Sequence, residues 1–289
     1  MRTYRFVVGD LPFDCELPEA LEVAKVLPSF GPFFQKEPSG EADFKMTAVD
    51  SIEDEADWMP SEQFCNDLGA VQLYRKGKLF LVELGYPSTA GKQRLWMDVE
   101  KGIARVSVNW ESSCAAQALT SMARIMYSQR VLLRKGFSIH ASTVIKEGVA
   151  YLFLGKSGTG KSTHSRWWMQ VWPEVELLND DNPIVRIVDE QIWVYGSPWS
   201  GKTPCYKQKR VPLKGLVRLE QAPMNQWTTV KGVKAWAAVF PSCAVMMEDS
   251  CLYQALQETL NRVVSQVKVG RLKCLPNGEA ARLSEHNLK

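Results

Sequence analysis

The stretch that decides the fold is Gly155-Lys156-Ser157-Gly158-Thr159-Gly160-Lys161-Ser162-Thr163. It matches the pattern GxxxxGK[ST], it follows the apolar run Val149–Leu154, and it opens a helical pattern that continues to about Trp172. Its three glycines allow the backbone to curl so that successive N–H groups point inward at phosphate oxygens. We therefore expect a strand, a phosphate-binding loop and a helix, in this order.

The residue types in this loop match the needs of a nucleotide site. Lys161 would neutralise the β- and γ-phosphates, and the hydroxyl of Ser162 would ligate Mg²⁺. The helix N-terminus adds the positive end of its dipole. We expect all nine residues, 155–163, to contact a nucleotide such as ATP. The alternative is a glycine-rich strand-to-helix turn that binds no ligand.

A second stretch, residues 196–203 (GSPWSGKT), satisfies the same pattern but lacks its context. Pro198 removes one N–H donor, and the polar, proline-containing sequence after Thr203 cannot continue as a helix. We interpret this stretch as a stiffened loop. It leaves two alternatives open: Lys202 and Arg210 reach the phosphates or the acceptor from the opposite side, or the stretch is a surface turn.

Two adjacent carboxylates, Asp180 and Asp181, end the strand-like run that begins at Val175. Neighbouring side chains on a strand point to opposite sides, so the pair can divide two tasks. One carboxylate can hold Mg²⁺, and the other can accept a proton from an attacking hydroxyl. The alternative is a turn, because Asp-Asp-Asn-Pro is good turn composition. His140, at the start of the strand expected to pair with the loop strand, is a further candidate near the terminal phosphate.

Composition excludes several classes of protein. The 289 residues are 45% hydrophobic and 23% charged, which is ordinary for a globular chain. The longest apolar run is too short to cross a bilayer, and the charged N-terminus does not fit a signal peptide. Seven cysteines without a CxxC pair predict reduced thiols and a cytoplasmic location. We expect neither a membrane nor a nucleic acid as partner.

The pattern of turns and periodic runs predicts three regions. Residues 1–110 contain short strand-like runs, which predict a small β-rich N-terminal domain. Residues 111–136 predict a long connecting helix. Residues 137–289 predict an α/β catalytic domain with a mixed sheet. Within it we expect the hairpin of Ser138–Ile145 with Val149–Leu154, a second hairpin over 184–195, and later helices over Val233–Phe240 and 252–267, the last stopped by Gly270.

The ordered set of His140-Ala141, a hairpin, GKSGTGKST and the later LLNDDNP (177–183) resembles the catalytic domain of HPr kinase/phosphorylase and related hydroxyl kinases. These are P-loop enzymes of the phosphoenolpyruvate carboxykinase-like superfamily. The likeness covers about residues 137–220 well. It implies that Asp180 and Asp181 supply metal coordination and the general base. It further implies that His140 lies beside the transferred phosphoryl group and that Arg210 helps to hold the phosphates.

The departures from that family shift the expected acceptor. The usual His-Gly is His-Ala here, and no counterpart is found of the glycine- and acid-containing block that follows the equivalent of Arg210. Residues 1–110 show no match to the N-terminal domain of HPr kinase. The resemblance therefore implies a relative that phosphorylates another hydroxyl, on a small molecule or a peptide, rather than HPr itself. Its oligomeric state, including a homo-oligomer, is left open.

Three functional hypotheses follow from these residues. The first is an ATP- and Mg²⁺-dependent kinase, a phosphotransferase that moves a γ-phosphoryl group to a serine-like hydroxyl. The second is a nucleotide-gated binding or regulatory protein that carries out no transfer. The third is carboxykinase chemistry on an oxaloacetate-like acid, for which the sequence offers no metal-binding Lys/His set.

Overall fold

Strands dominate the first half of the chain, as its short β-rich runs predict. In a computed structural model, residues 1–53, 57–66, 69–87, 91–201 and 203–289 are described. Contacts between Cα atoms divide the chain into two units, Met1–Arg130 and Val131–Lys289. No helix in these described ranges is long and apolar enough to cross a membrane.

The first unit is a mixed sheet with one long helix. Its strands are β1 (Arg2–Val8), β2 (Leu11–Leu17), β3 (Phe34–Gln35), β4 (Phe44–Ala48), β5 (Met59–Asn66), β6 (Gly69–Lys76), β7 (Leu79–Gly85), β8 (Gln93–Asp98) and β9 (Ile103–Ser107). Its helices are α1 (Val23–Val26), a 3₁₀ turn (Pro28–Phe33) and α2 (Ala115–Arg130). The strand order is β3-β1-β2-β4-β9-β8-β7-β6-β5, and only the β2–β4 and β4–β9 pairs among those described are parallel.

Aromatic rings pack together in the core of the first unit. The rings of Phe13 and Phe44 stack at 4.6 Å, and Tyr127 of α2 packs against both. The Tyr127 hydroxyl also donates to the carbonyl of Val8 over 2.9 Å, so the one polar atom of that buried ring is satisfied.

The second unit is also built on a mixed sheet. Its strands are β10 (Gly136–Ser138), β11 (Ala141–Lys146), β12 (Val149–Leu154), β13 (Glu176–Asp181), β14 (Ile184–Val188), β15 (Gln191–Tyr195), β16 (Arg210–Gln221), β17 (Gln226–Val230) and β18 (Lys268–Cys274). Its helices are a 3₁₀ turn (Val131–Arg134), α3 (Lys161–Val171), α4 (Gly232–Val239), a 3₁₀ turn (Phe240–Ser242), α5 (Ser250–Gln266) and α6 (Gly278–Leu288).

The sheet order of the second unit is β10-β14-β15-β16-β12-β11-β13, and β18 joins β16 to β17. The β11–β12 and β14–β15 pairs are the predicted antiparallel hairpins, whereas β12 runs parallel to β16 and β16 parallel to β18. Both units therefore hold a large mixed sheet, and the expectation of a mixed α/β chain is confirmed at this level. α3 and α6 cover one face through a core that includes Trp168, Phe153 and Leu288.

Two predicted elements need correction. The strand expected over 138–145 is broken, because β10 ends at Ser138 and β11 begins at Ala141. In the gap, Ile139 bridges to Cys243 and the His140 amide donates to the Ser242 carbonyl, so this segment has changed its pairing partner. Gly270 does not stop a helix either. It lies within β18, where the indole of Trp227 occupies the place that a side chain would need.

Candidate functional site

Strand pairing brings the loop and the acidic pair to the same edge of the second sheet. β11 lies between β12 and β13, and its first residue, Ala141, is level with both Leu154 and Asp181. Leu154 is the last residue before the loop, and Asp181 is the last residue of β13. Neighbouring strands lie about 4.8 Å apart, so only two such spacings separate the start of the loop from the acidic strand end.

The loop has the backbone that its glycines predict. Gly158 and Gly160 have φ angles of 79° and 104°, a region that other residues reach only with strain. A side chain at Gly155 would place its Cβ atom 2.9 Å from Cβ of Thr159, so the loop closes tightly on itself. The side-chain amide of Gln221, at the end of β16, donates to the Gly158 carbonyl over 3.2 Å. This bond ties the loop to the neighbouring strand.

The ammonium group of Lys161 lies inside the curl of the loop. Its Nζ donates to the carbonyls of Gly155 at 3.2 Å and Lys156 at 3.4 Å. Burial lowers the pKa of Lys161, and the carboxylates of Asp181 and Asp180 partly oppose that shift. The lysine is thus a buried cation with only neutral carbonyls as hydrogen-bond acceptors in the described structure, a setting in which an anionic ligand would be strongly favoured.

Ser162 and Asp180 meet directly at the mouth of the loop. The serine Oγ donates to Oδ1 of Asp180 over 2.9 Å, and the carboxylate is buried. Both are hard oxygen donors, which Mg²⁺ prefers, so the donor chemistry fits this ion. The described residues hold no cluster of three His, Cys, Asp or Glu side chains suited to a metal. A magnesium ion here would therefore take its remaining ligands from phosphate oxygens and water.

The second carboxylate is paired with the predicted histidine. His140 Nε2 lies 3.3 Å from Oδ1 of Asp181. The other carboxylate oxygen of Asp181, Oδ2, accepts a hydrogen bond from the side-chain amide of Asn182 over 2.6 Å. The side chains of His140 and Asp181 remain 42% and 21% exposed, so a substrate from solution can reach them. A carboxylate that is oriented on both oxygens yet accessible is suited to receive a proton from an acceptor hydroxyl.

The second glycine-containing stretch forms a loop that supports the acidic strand. No helix follows it in the described residues 196–201 and 203–209. The side-chain amide of Asn179, beside the acidic pair, donates to the Trp199 carbonyl and to the Ser197 hydroxyl. The backbone N–H of Gly201 donates to the Asp180 carbonyl over 2.5 Å. The loop thus fixes the backbone of β13 where the carboxylates emerge. Lys202, predicted to bind phosphate or acceptor, lies outside the described residues.

The structure does not bring Arg210 to the loop. It begins β16, where its guanidinium lies 4.6 Å from the ring centroid of Trp193 and donates to the hydroxyl of Tyr195. On the same strand, Arg218 is the residue level with Leu154. Eight residues of extended strand span about 26 Å, so Arg210 lies at the other end of β16 from Arg218 and the start of the loop.

Arg218 is a basic residue of the site that the sequence analysis did not assign. Its Nη1 donates to Ser242 Oγ over 3.0 Å, and its charge contributes to lowering the pKa of Lys161. In the next strand Arg271 is level with it, and burial together with Arg271 lowers the pKa of Arg218. A partial signal was present in the sequence, because Arg218 interrupts the apolar run Leu216–Leu219. Only the pairing of β12, β16 and β18 shows that both arginines lie level with the start of the loop.

Comparisons with known proteins add little to this geometry. No family model and no curated protein matches the chain. Among solved structures, it is similar to the Hpr(Ser) kinase/phosphatase from Coxiella burnetii with 11% sequence identity and a TM-score of 0.30. That alignment covers 52% of this chain and 93% of the other. Similarity at this level assigns neither fold nor activity, so the arrangement of the side chains has to support the function.

Proposed function

We propose that this chain is a kinase that transfers the γ-phosphoryl group of ATP, with Mg²⁺, to a serine-like hydroxyl on a small molecule or a peptide. One observation carries the proposal: the hydroxyl of Ser162 meets the carboxylate of Asp180 at the mouth of the loop. A phosphate loop alone supports nucleotide binding, whereas a loop serine joined to an acid supports a metal-assisted transfer. The Asp181–His140 pair at the same strand edge supplies the group that such a transfer needs for the proton.

Binding in this proposal depends on the loop. Its backbone amides and the ammonium of Lys161 hold the phosphates, and the N-terminus of α3 adds its dipole. Ser162 and Asp180 would hold Mg²⁺, which when bound offsets charge on the phosphate oxygens and helps to align them. Arg218, level with the start of the loop, lies where it can stabilise negative charge that develops on the transferred group.

The transfer itself is a displacement at the γ-phosphorus. The acceptor oxygen forms a new bond to phosphorus while the bond to the bridging β–γ oxygen breaks, and that electron pair leaves with ADP. The hydroxyl proton passes to a carboxylate oxygen of Asp181, and His140 holds that carboxylate in position. The products are ADP and a phosphate monoester.

The test uses γ-labelled ATP, Mg²⁺, the full chain and a boiled extract of the source organism that supplies small molecules and peptides. We expect an acid-stable labelled ester with the wild type and with Asp189→Asn, which changes an exposed turn carboxylate. We expect none with Lys161→Ala, and at least a hundredfold less with Asp181→Asn. Nucleotide binding without any labelled product would reject the kinase and favour the nucleotide-gated binding protein.

A further inference from the structure

A cleft of about 750 Å³ opens beside the phosphate loop, and the proposed function leaves it without a role. It is lined by Gly158, Thr159, Gly160, Thr163, Gln221 and Leu275, together with neighbours of the last two along the chain. Neither carboxylate of the acidic pair nor His140 belongs to the described lining. The cleft therefore adjoins the loop and the first turn of α3, apart from the groups assigned to the transfer.

The lining selects for an uncharged ligand. Leu219, Pro223 and Leu275 make much of it apolar. None of the described residues that line it is an Asp, Glu, Lys or Arg. The buried cation of the site, Lys161, lies within the loop and outside this lining. A ligand that spans both places would be polyanionic at one end and neutral at the other.

The walls of the cleft are fixed by hydrogen bonds before any ligand arrives. The Ala222 amide donates to the Cys274 carbonyl over 3.2 Å, and the Leu275 amide donates to Oδ1 of Asn225 over 2.9 Å. These bonds join the segments that follow β16 and β18. The first segment is also tied to the loop through Gln221 and Gly158. Preformed, largely apolar clefts of roughly 300–1,000 Å³ are typical of small-molecule sites.

We propose that this cleft holds the base and ribose of the nucleotide, an inference that depends on the proposed function. Thr163, which lines the cleft, directly follows Ser162, which meets Asp180. A triphosphate can thus extend from the cleft across the N-terminus of α3 to the acidic pair. This assigns a direction to the bound nucleotide: its neutral, planar end packs against Leu219, Pro223 and Leu275, and its terminal phosphate reaches Asp180 and Asp181.

The experiment separates the nucleoside from the phosphates by comparing ATP with inorganic tripolyphosphate in titration calorimetry at constant Mg²⁺. The wild type should bind ATP at least tenfold more tightly than tripolyphosphate. Ala222→Trp places an indole in the cleft and should reduce ATP affinity to the level of tripolyphosphate, whose own affinity stays unchanged. Met224→Trp is the matched control, because Met224 is 65% exposed and outside the lining, and should bind both ligands as the wild type does.

Other outcomes overturn the proposal in distinguishable ways. Equal affinities of the wild type for ATP and tripolyphosphate would reject the cleft as a nucleoside site and leave the phosphate loop intact. No binding of either ligand would reject the proposed function together with it. If Ala222→Trp also lost tripolyphosphate, Leu275→Ala would decide, since it only trims a partly exposed wall: ATP affinity should fall at least threefold, and an unchanged value would reject the proposal.

Discussion

Asp180 accepts a hydrogen bond from the hydroxyl of Ser162 over 2.9 Å, although the two residues stand on different elements 18 positions apart. The serine is in the first turn of α3, and the aspartate is near the end of β13. β11, inserted between β12 and β13, sets the spacing that lets them meet. Two hard oxygens in contact at a phosphate loop form one side of a magnesium site.

Asp180→Asn tests this pair through its dependence on magnesium. The amide keeps an oxygen near Ser162 but loses the negative charge that favours a divalent cation. We expect ATP affinity in the presence of Mg²⁺ to fall at least tenfold. Without Mg²⁺ it should stay unchanged or rise, because a negative charge near the triphosphate is removed. Calorimetric titrations with and without Mg²⁺ measure both values, and Asp189→Asn should follow the wild type. Equal losses under both conditions would contradict a role in metal binding.

Asp181→Asn should separate catalysis from binding. Loss of a general base lowers the rate of transfer by about 10²- to 10⁴-fold. The affinity for ATP should stay within about threefold of the wild type, because Lys161 and the loop amides remain. Single-turnover transfer of labelled phosphate, measured alongside nucleotide titration, gives the two quantities on one preparation. A parallel drop in both would indicate that Asp181 supports the loop structurally.

Two arginines on one strand provide a matched comparison. Arg218 is level with the start of the loop, whereas Arg210 stacks near Trp193 at the other end of β16. Arg218→Met should lower the transfer rate at least tenfold, since a cation close to the reacting phosphates is lost. Arg210→Met should leave it within twofold. The opposite order would support the role that the family resemblance gives to Arg210.

The sequence was most informative where chemistry and local structure coincide. The glycines of the loop predict its backbone, and the apolar run before it predicts β12. The predicted helix that follows the loop corresponds closely to α3, Lys161–Val171. Asp180 and Asp181 could be placed at a strand end because five strand-like residues precede them. In each case the signal lies within a dozen residues of the element that it predicts.

Long-range pairing is what the sequence could not supply. Nothing near Arg218 indicates that β16 runs parallel to β12 and ends at the loop, since the two strands are about sixty residues apart in the chain. The cleft beside the loop also depends on this pairing, because its lining comes from the ends of β16 and β18 and from α3. The break at Ile139 and His140 had the same cause: a distant segment around Ser242 and Cys243 pairs with it.

The last prediction concerns His164, whose ring is buried and contacts Trp168 of α3 and Ser284 of α6. The indole nitrogen of Trp168 donates to His164 Nε2 over 3.2 Å and to the hydroxyl of Ser284. Burial lowers the pKa of His164 from 6.5 to about 3. The unfolded chain therefore binds a proton below about pH 6.5 that the folded chain refuses until about pH 3, so stability falls as the pH decreases through this window.

His164→Gln removes this titration while it keeps an acceptor for Trp168. The wild type should lose about 2 kcal/mol of unfolding free energy through this one group between pH 7 and pH 5, with a slope that approaches about 1.4 kcal/mol per pH unit below pH 6.5. The variant should be less stable than the wild type at pH 7, because glutamine fills the site poorly, but its loss on acidification should be smaller by that amount. Urea unfolding followed by tryptophan fluorescence at pH 7 and pH 5 gives the difference.

His286→Gln, a change at an exposed histidine, should retain the full wild-type dependence of stability on pH. If His164→Gln and the wild type lost equal stability, the buried ring would not be the neutral group that its surroundings require.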